Sequence, residues 1–251
     1  MDLETRKLQQ LLSEKNQLPE ILMLKPITTS TNDDVKAIAT QGVHSILICS
    51  AQQTQGRGQQ QKTWVSPQGN IYLSALLNLH LPIDGRIALE VALNILQMPS
   101  LHDLNLKVKW PNDLFFENQK FGGILIEPIS NNQVVVGVGL NLNPIQDTHI
   151  EQKVTSLTQI GLKNYDRIQL IAELYEAIQQ AGNWFNFQSK NLANRFNHHA
   201  AFLHQTVNFS STHTQIQGCF LGIQNDGAVK IQTENSIEMY YQGQMRLVET
   251  E

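Results

Sequence analysis

The chain has 251 residues, 41% hydrophobic and only 16% charged, with a net charge of −4. That length and apolar content fit one large domain, or one plus a small one, around a real core. The acid-leaning balance lacks the basic footprint of a nucleic-acid binder, no apolar run nears the ~20 residues of a membrane span, and the charged N-terminus is not a signal peptide.

Residues 1–18 read as a leading helix ending near Pro19, followed by a short apolar strand, Ile21–Lys25. Thr28 to Asn32 then meets Asp33 and Asp34 ahead of a periodic run to Thr40 and Gly42. This is a polar cap, an acidic first turn and a glycine stop, the pattern of a helix. Ser45–Ser50 is an apolar strand, Gln52–Lys62 a polar loop without period, Asn70–Leu79 a strand and Arg86–Met98 a helix. Three short strands follow: Leu106–Trp110, Leu114–Glu117 and Phe121–Glu127, with turns at Pro111–Asp113 and Asn118–Gln119. Gln133–Leu140 is a buried strand, and 166–188 and about 189–203 are helices. From Gln205 onward, five short strands separated by turns, clearest at Asn225–Gly227, predict a small appended barrel. The expected division is 1–203 and 204–251. Cys49 and Cys219 lie far apart in apolar or β-like surroundings and read as reduced thiols, which points to the cytoplasm. His198, His199 and His204 lack a zinc pattern and fit a helix surface or core role.

Several segments carry chemistry, each beside a plainer reading. Lys120 lies just past a turn and next to Gly122 and Gly123; it is either a cation beside bare backbone or a solvated lysine in an ordinary bulged hairpin. Ser30, Thr31 and Asn32 at a helix start can receive a polar or anionic group or simply cap the helix. In QTQGRGQQQKTW, Gly56 and Gly58 flank Arg57, whose fork suits phosphate or carboxylate, although floppy surface loops are common. The loop is not a Walker A sequence. In GVGLNLNP, 137–144, a third glycine is missing for a dinucleotide fingerprint. The strand instead suggests glycines that let a ligand lie close, with Asn141 at its end, or an ordinary core strand. Lys107 and Lys109 share a strand face, and Asp113 can orient a lysine or hold a metal.

Taken in order, STN, then GRG with W-x-SP-x-GN-x-YLS, KWPND, K-x-GGILIE and GVGLNLN resemble the motif series of biotin protein ligases. The resemblance is strong over about residues 20–145 and looser in the C-terminal strands. It implies an α+β fold: a mixed sheet with flanking helices like that of class II aminoacyl-tRNA synthetases, plus a small C-terminal SH3-like β-barrel. It also implies biotinyl-5′-AMP formation from biotin and ATP, then biotin transfer to a lysine of a biotin carboxyl carrier protein, of acetyl-CoA carboxylase or another biotin-dependent carboxylase. The matching biotin positions are Ser30, Thr31, Asn32, Gln53, Gly56, Arg57, Lys120 and Gly123. Lys109, Asn112, Asp113 and Asn141 would serve ATP, with Asp113 toward Mg2+. Lys120, Arg57 and Lys109 are the expected catalytic residues.

Two departures stand out, in the loop and in the C-terminal tail YYQGQMRLVE, which keeps only a loose likeness and to which no functional residue is carried over. Where the family loop usually reads close to GRGRxGRxW, this chain has Gln59, Gln61 and Lys62 in place of Arg, Gly and Arg, which weakens the expected hold on the adenylate. The chain ahead of Ser30 is too short for the helix-turn-helix domain of bifunctional members, so a ligase without repressor activity, nucleic-acid partner or membrane contact is expected. A homodimer is compatible with the sequence. A lipoate ligase and a non-catalytic biotin- or adenylate-binding module stay open as alternatives.

Overall fold

The structure is a computed structural model that describes residues 2–145 and 152–248; the last three residues of the expected C-terminal unit, 249–251, lie outside it. The alternating apolar runs of the first two-thirds form one mixed sheet. Its strands are β1 (Ile21–Lys25), β2 (Ile46–Ser50), β3 (Ile71–Asn78), β4 (Lys107–Lys109), β5 (Asp113–Phe116), β6 (Gln119–Pro128) and β7 (Gln133–Leu140). Their order is β1-β2-β3-β7-β6-β5-β4, with only β1 and β2 parallel.

The helices are α1 (Leu3–Glu14), α2 (Thr31–Ala39), α3 (Arg86–Leu96), α4 (Arg167–Asn186) and α5 (Leu192–His199). One sheet face packs under α3 and α4, with Leu73, Leu77, Val136 and Val138 among the buried contacts; Leu8 and Leu12 of α1 join the same core. The opposite face carries α2 alone, whose Val35 and Ala39 bury Ile48, Leu76 and Val135. A nine-residue helix cannot cover seven strands, so the rest of that face is left for the polar residues described below.

The C-terminal strands are β8 (Thr206–Ser210), β9 (Gln215–Ile223), β10 (Val229–Gln232), β11 (Ile237–Tyr240) and β12 (Gln244–Leu247). They form an antiparallel sheet in the order β11-β10-β9-β8-β12. The expected five strands are all present, but the sheet is open: among the described residues β11 and β12 are edges with no pairing between them. Each is four residues long and offers few ladder groups for closure. This sheet docks on the first through a shared core. Trp110, 1% exposed, donates its indole N–H to the Gly227 carbonyl at 3.1 Å and lies 6.1 Å from the Phe209 ring. Cys49 and Cys219 sit in different sheets as free thiols. Among the described residues no helix is long and apolar enough to cross a membrane.

α5 is tied to α3 by a buried ion pair. Glu90 is fully buried, and Arg195 forks onto it at 2.9 and 2.6 Å while its guanidinium lies 4.1 Å from the Trp184 ring centroid. Removing the arginine strands a carboxylate in the core, which typically costs about 3–5 kcal/mol. Arg195→Ala should therefore lose about that much in urea unfolding, and Glu90→Gln in the Arg195→Ala background should recover part of it.

Candidate active site

The site is set by one extra residue. β5 pairs Leu114 with Gly122 but Phe115 with Lys120, so Phe121 is bulged out of the ladder. Strict alternation would put Lys120 on the face opposite Gly123; the bulge turns it onto the same face. One rung of the sheet runs Lys109, Asp113, Gly123, Gly139, Tyr72, Ser50, Lys25. Lys120 folds over this rung and contacts Asp113 Oδ1 at 2.5 Å, while Lys109 contacts Asp113 Oδ2 at 3.1 Å. Burial alone would raise the Asp113 carboxyl, but Lys120 and Lys109 outweigh it and hold it below the usual carboxylate range. Burial pushes the Lys109 ammonium below the ordinary lysine value, with Asp113 opposing.

The glycines of β6 and β7 lie in the middle of the rung. A Cβ on Gly139 would sit 2.5 Å from Trp64 Nε1, and one on Gly123 would sit 3.1 Å from the Trp64 ring and 3.2 Å from Lys120 Cε. A Cβ on Gly137 would run into the Asn32 amide. The sequence suggested that bare backbone here lets a ligand lie close. In this state the space belongs to the chain's own Trp64 and Asn32, which need the missing side chains in order to reach the sheet. Lys120 Nζ lies 5.0 Å from the Trp64 ring centroid, a cation–π contact.

The helix start is built as expected, with Ser30 accepting from the Asp33 N–H at 3.5 Å. Its neighbours point inward. Thr31 N donates to Gln53 Oε1 at 2.9 Å, Ser74 donates to Asn32 Oδ1 at 2.5 Å, and Asn32 Nδ2 donates to Glu127 Oε2 at 2.5 Å. Ser30, Thr31 and Asn32 are all buried, so they form a polar pocket floor rather than a surface cap. Gln53 also donates to Ser66, and a Cβ on Gly56 would meet Ser66 Oγ and the Trp64 carbonyl at 2.5 Å.

Arg57 was expected to offer its fork to a ligand. Here the fork is taken by Asp33, at 2.7 and 2.6 Å, with Glu127 3.8 Å away. The hydrogen bond to Arg57 holds Asp33 below the usual carboxylate range. The loop itself is closed at its base: Trp64 N donates to Gly56 O at 2.9 Å, Gly58 N donates to Lys62 O at 2.7 Å, and Gln59–Gln61 form a 3-10 turn. Gln60 and Gln61 have φ of 55° and 59°, the left-handed region, at a cost of about 1–2 kcal/mol per residue.

Asn112 brackets the turn to β6: its amide donates to Ile124 O at 2.6 Å and its carbonyl accepts from Ile124 N at 3.0 Å. Asn141 donates to Thr155 O at 3.1 Å, while its buried Oδ1 has no partner in the structure. Trp64 Nε1 is also buried without one. The unused Trp64 donor beside Lys120 fits an anionic group, while the unused Asn141 acceptor calls for a donor such as a hydroxyl or amine. A metal fits less directly. Among the described residues no three His, Cys, Asp or Glu side chains converge, and both Asp113 oxygens contact lysines. Only an ion carried largely by phosphate oxygens suits that donor set. Sequence reasoning missed Trp64, Asp33, Ser74 and Glu127 as parts of this site. Trp64 was visible in the motif series as the residue closing the loop.

Residues 24–143, from within β1 to just past β7, match the biotin/lipoate A/B protein ligase family. Curated relatives that the chain resembles are named as ligases. The "Bifunctional ligase/repressor BirA" of Escherichia coli is 27% identical over 255 residues, covering 95% of this chain and 78% of its own length. The "Biotin--[acetyl-CoA-carboxylase] ligase" of Mycobacterium tuberculosis is 28% identical, covering 61% of this chain and 60% of its own. Among solved structures, the biotin protein ligase from Aquifex aeolicus in complex with biotin and ATP superposes with a TM-score of 0.78 at 24% identity, over 92% of this chain and all of that one.

Asp113→Asn should expose the electrostatic debt of the lysine pair. Two nearly buried ammoniums would lose their counter-charge, for an expected loss of about 2–4 kcal/mol at pH 7. Because the folded carboxyl titrates below the unfolded value of about 3.9, wild type holds this stability above that pH and loses it as pH falls through the lowered value. Urea unfolding from pH 7 to 2 should show the gap between the two proteins closing only at the acid end.

Proposed function

We propose that this chain is an ATP-dependent biotin–protein ligase. It joins biotin and ATP as biotinyl-5′-AMP, releasing pyrophosphate, and then passes the biotinyl group to a lysine of a biotin carboxyl carrier protein, releasing AMP. The observation that carries the reading is Lys120, turned by the Phe121 bulge over Gly123 and paired with Asp113 beside Lys109. The family match and the biotin ligase relatives support it.

The chemistry asks for the groups present. A biotin carboxylate oxygen attacks the α-phosphorus, and the bond to pyrophosphate breaks. Two anions must approach, so fixed cations are required. We assign Lys120 to the junction of carboxylate and α-phosphate, and Lys109 to the phosphates. Asp113 keeps both ammoniums aimed until substrate phosphates compete for them. Mg2+ bound with ATP would supply further charge neutralisation at the phosphates, and Asp113 would be the carboxylate to hold it. Thr31, Asn32 and Gln53, beside Ser30, offer donors and acceptors to the polar ring end of biotin. Gly56, Gly123 and Arg57 line the approach, and Asn112 and Asn141 the nucleotide end. In the second step the acceptor ε-amine attacks the acyl carbon and AMP leaves, so no covalent enzyme intermediate is needed. We read residues 1–203 as the class II synthetase-like catalytic unit and 204–251 as an SH3-like unit. The net charge of −4 supports a protein partner over nucleic acid.

Biotin-dependent exchange of pyrophosphate into ATP tests the first step, and biotin transfer to a carrier domain tests the second. Lys120→Ala should lower exchange by about 10²–10³-fold while leaving thermal unfolding near wild type. Near-wild-type exchange would overturn the role of Lys120.

Retention of the adenylate should depend on loop charge. Gln59 can hydrogen-bond an oxyanion but brings no charge, and charge-assisted bonds are about twice as strong as neutral ones. Gln59→Arg should slow adenylate dissociation, measured by trapping released biotinyl-AMP. An unchanged rate would remove Gln59 from the account.

A further inference from the structure

We propose that the C-terminal sheet is part of the catalytic device: Gln244 on β12 clasps the Gln59–Lys62 loop, and this clasp sets how long the adenylate stays bound. The proposal rests on the ligase reading above and adds a positioning residue that touches the lid, not the reacting atoms.

Gln244 Nε2 donates to Gln60 Oε1 at 2.7 Å, and Lys62 Nζ donates to Gln244 Oε1 at 3.2 Å. One amide thus bonds the middle of the 3-10 turn and the residue that follows it. The loop needs a grip: Gln60 and Gln61 both stand in the left-handed region, which side-chain-bearing residues keep only where their surroundings hold them. The other end of the clasp is firm. Gly243, just before Gln244, packs so tightly on Phe209 that a Cβ there would overlap the ring. Phe209 in turn packs on Trp110, whose indole is bonded to Gly227. A continuous path therefore runs from Trp110, two residues before Asn112, through Phe209 and β12 to the loop.

The test uses the full chain. Gln244→Ala removes both bonds, and dissociation of preformed biotinyl-AMP should quicken about three- to tenfold, the low end for two partly solvated hydrogen bonds. Thermal unfolding should stay near wild type, and single-turnover formation of adenylate at saturating biotin and ATP should change less than its release. Gln244→Glu should restore retention, since a carboxylate accepts from Lys62 and Gln60 can turn its amide to donate. Lys62→Ala combined with Gln244→Ala should release no faster than Gln244→Ala alone by more than a small factor, as expected for coupled residues. The clasp is also read without substrates: trypsin should cut after Lys62 faster in unliganded Gln244→Ala than in wild type. Wild type forming no adenylate would sink the ligase reading, leaving the trypsin comparison to judge the clasp. Adenylate formed normally but released at the same rate by Gln244→Ala, or cut at the same rate by trypsin, would sink the clasp.

Discussion

Asp113 sits between two ammonium groups, and most of the molecule is arranged to make that contact affordable. Three ionised groups with side chains only 12–17% exposed are costly to desolvate, and they persist because each finds an opposite charge within hydrogen-bonding distance. The geometry needs a bulge to turn Lys120, a short β4–β5 turn to bring Lys109 alongside, and a rigid sheet beneath. Asn112 supplies part of that rigidity by bonding the turn to β6 on both sides. The same ion triad gives the site its sign: two cations and one anion leave a net positive spot on a chain that is acidic overall.

Around that spot the sheet is stripped of side chains, and Trp64 lies in the stripped lane. The tryptophan is held from above by the closed base of its loop and from the side by Lys120. Its indole N–H has no partner, so the contact is made by shape and charge, not by a committed hydrogen bond. That is an arrangement a polar ligand can adjust without breaking anything strong. The Arg57–Asp33 pair is more committed, a two-bond fork at 2.7 and 2.6 Å between partly exposed groups.

Much of this was legible in the sequence. The three strands around KWPND, the cap at Ser30 and the five C-terminal strands follow from local pattern, because alternation, capping and turn chemistry act over a few residues. Gly122 and Gly123 suggested a bulge only as the plainer reading; that it falls at Phe121 and turns Lys120 onto the Gly123 face is decided by what the neighbouring strand offers. Arg57 was assigned to a ligand because its loop looked free; its partner Asp33 lies 24 residues away and was read only as a helix-start charge. The glycines at 137 and 139 signalled close approach, but not that the approaching groups would be Asn32 and Trp64. The five terminal strands suggested a closed barrel, whereas an open sheet results, since strand count alone does not fix whether edges meet.

Trp110 carries a consequence for how such a chain can change over generations. It lies inside the motif that supplies Lys109 and Asp113, yet its own side chain is spent on the second sheet, through Gly227 and Phe209. The segment that carries the buried ion triad is thereby also the docking point of the appended unit. A lineage could not discard or exchange that unit piecemeal, because the bare flank of Trp110 would have to be rebuilt at the same time as the new partner arrived. Functional and architectural inheritance are fused at one residue.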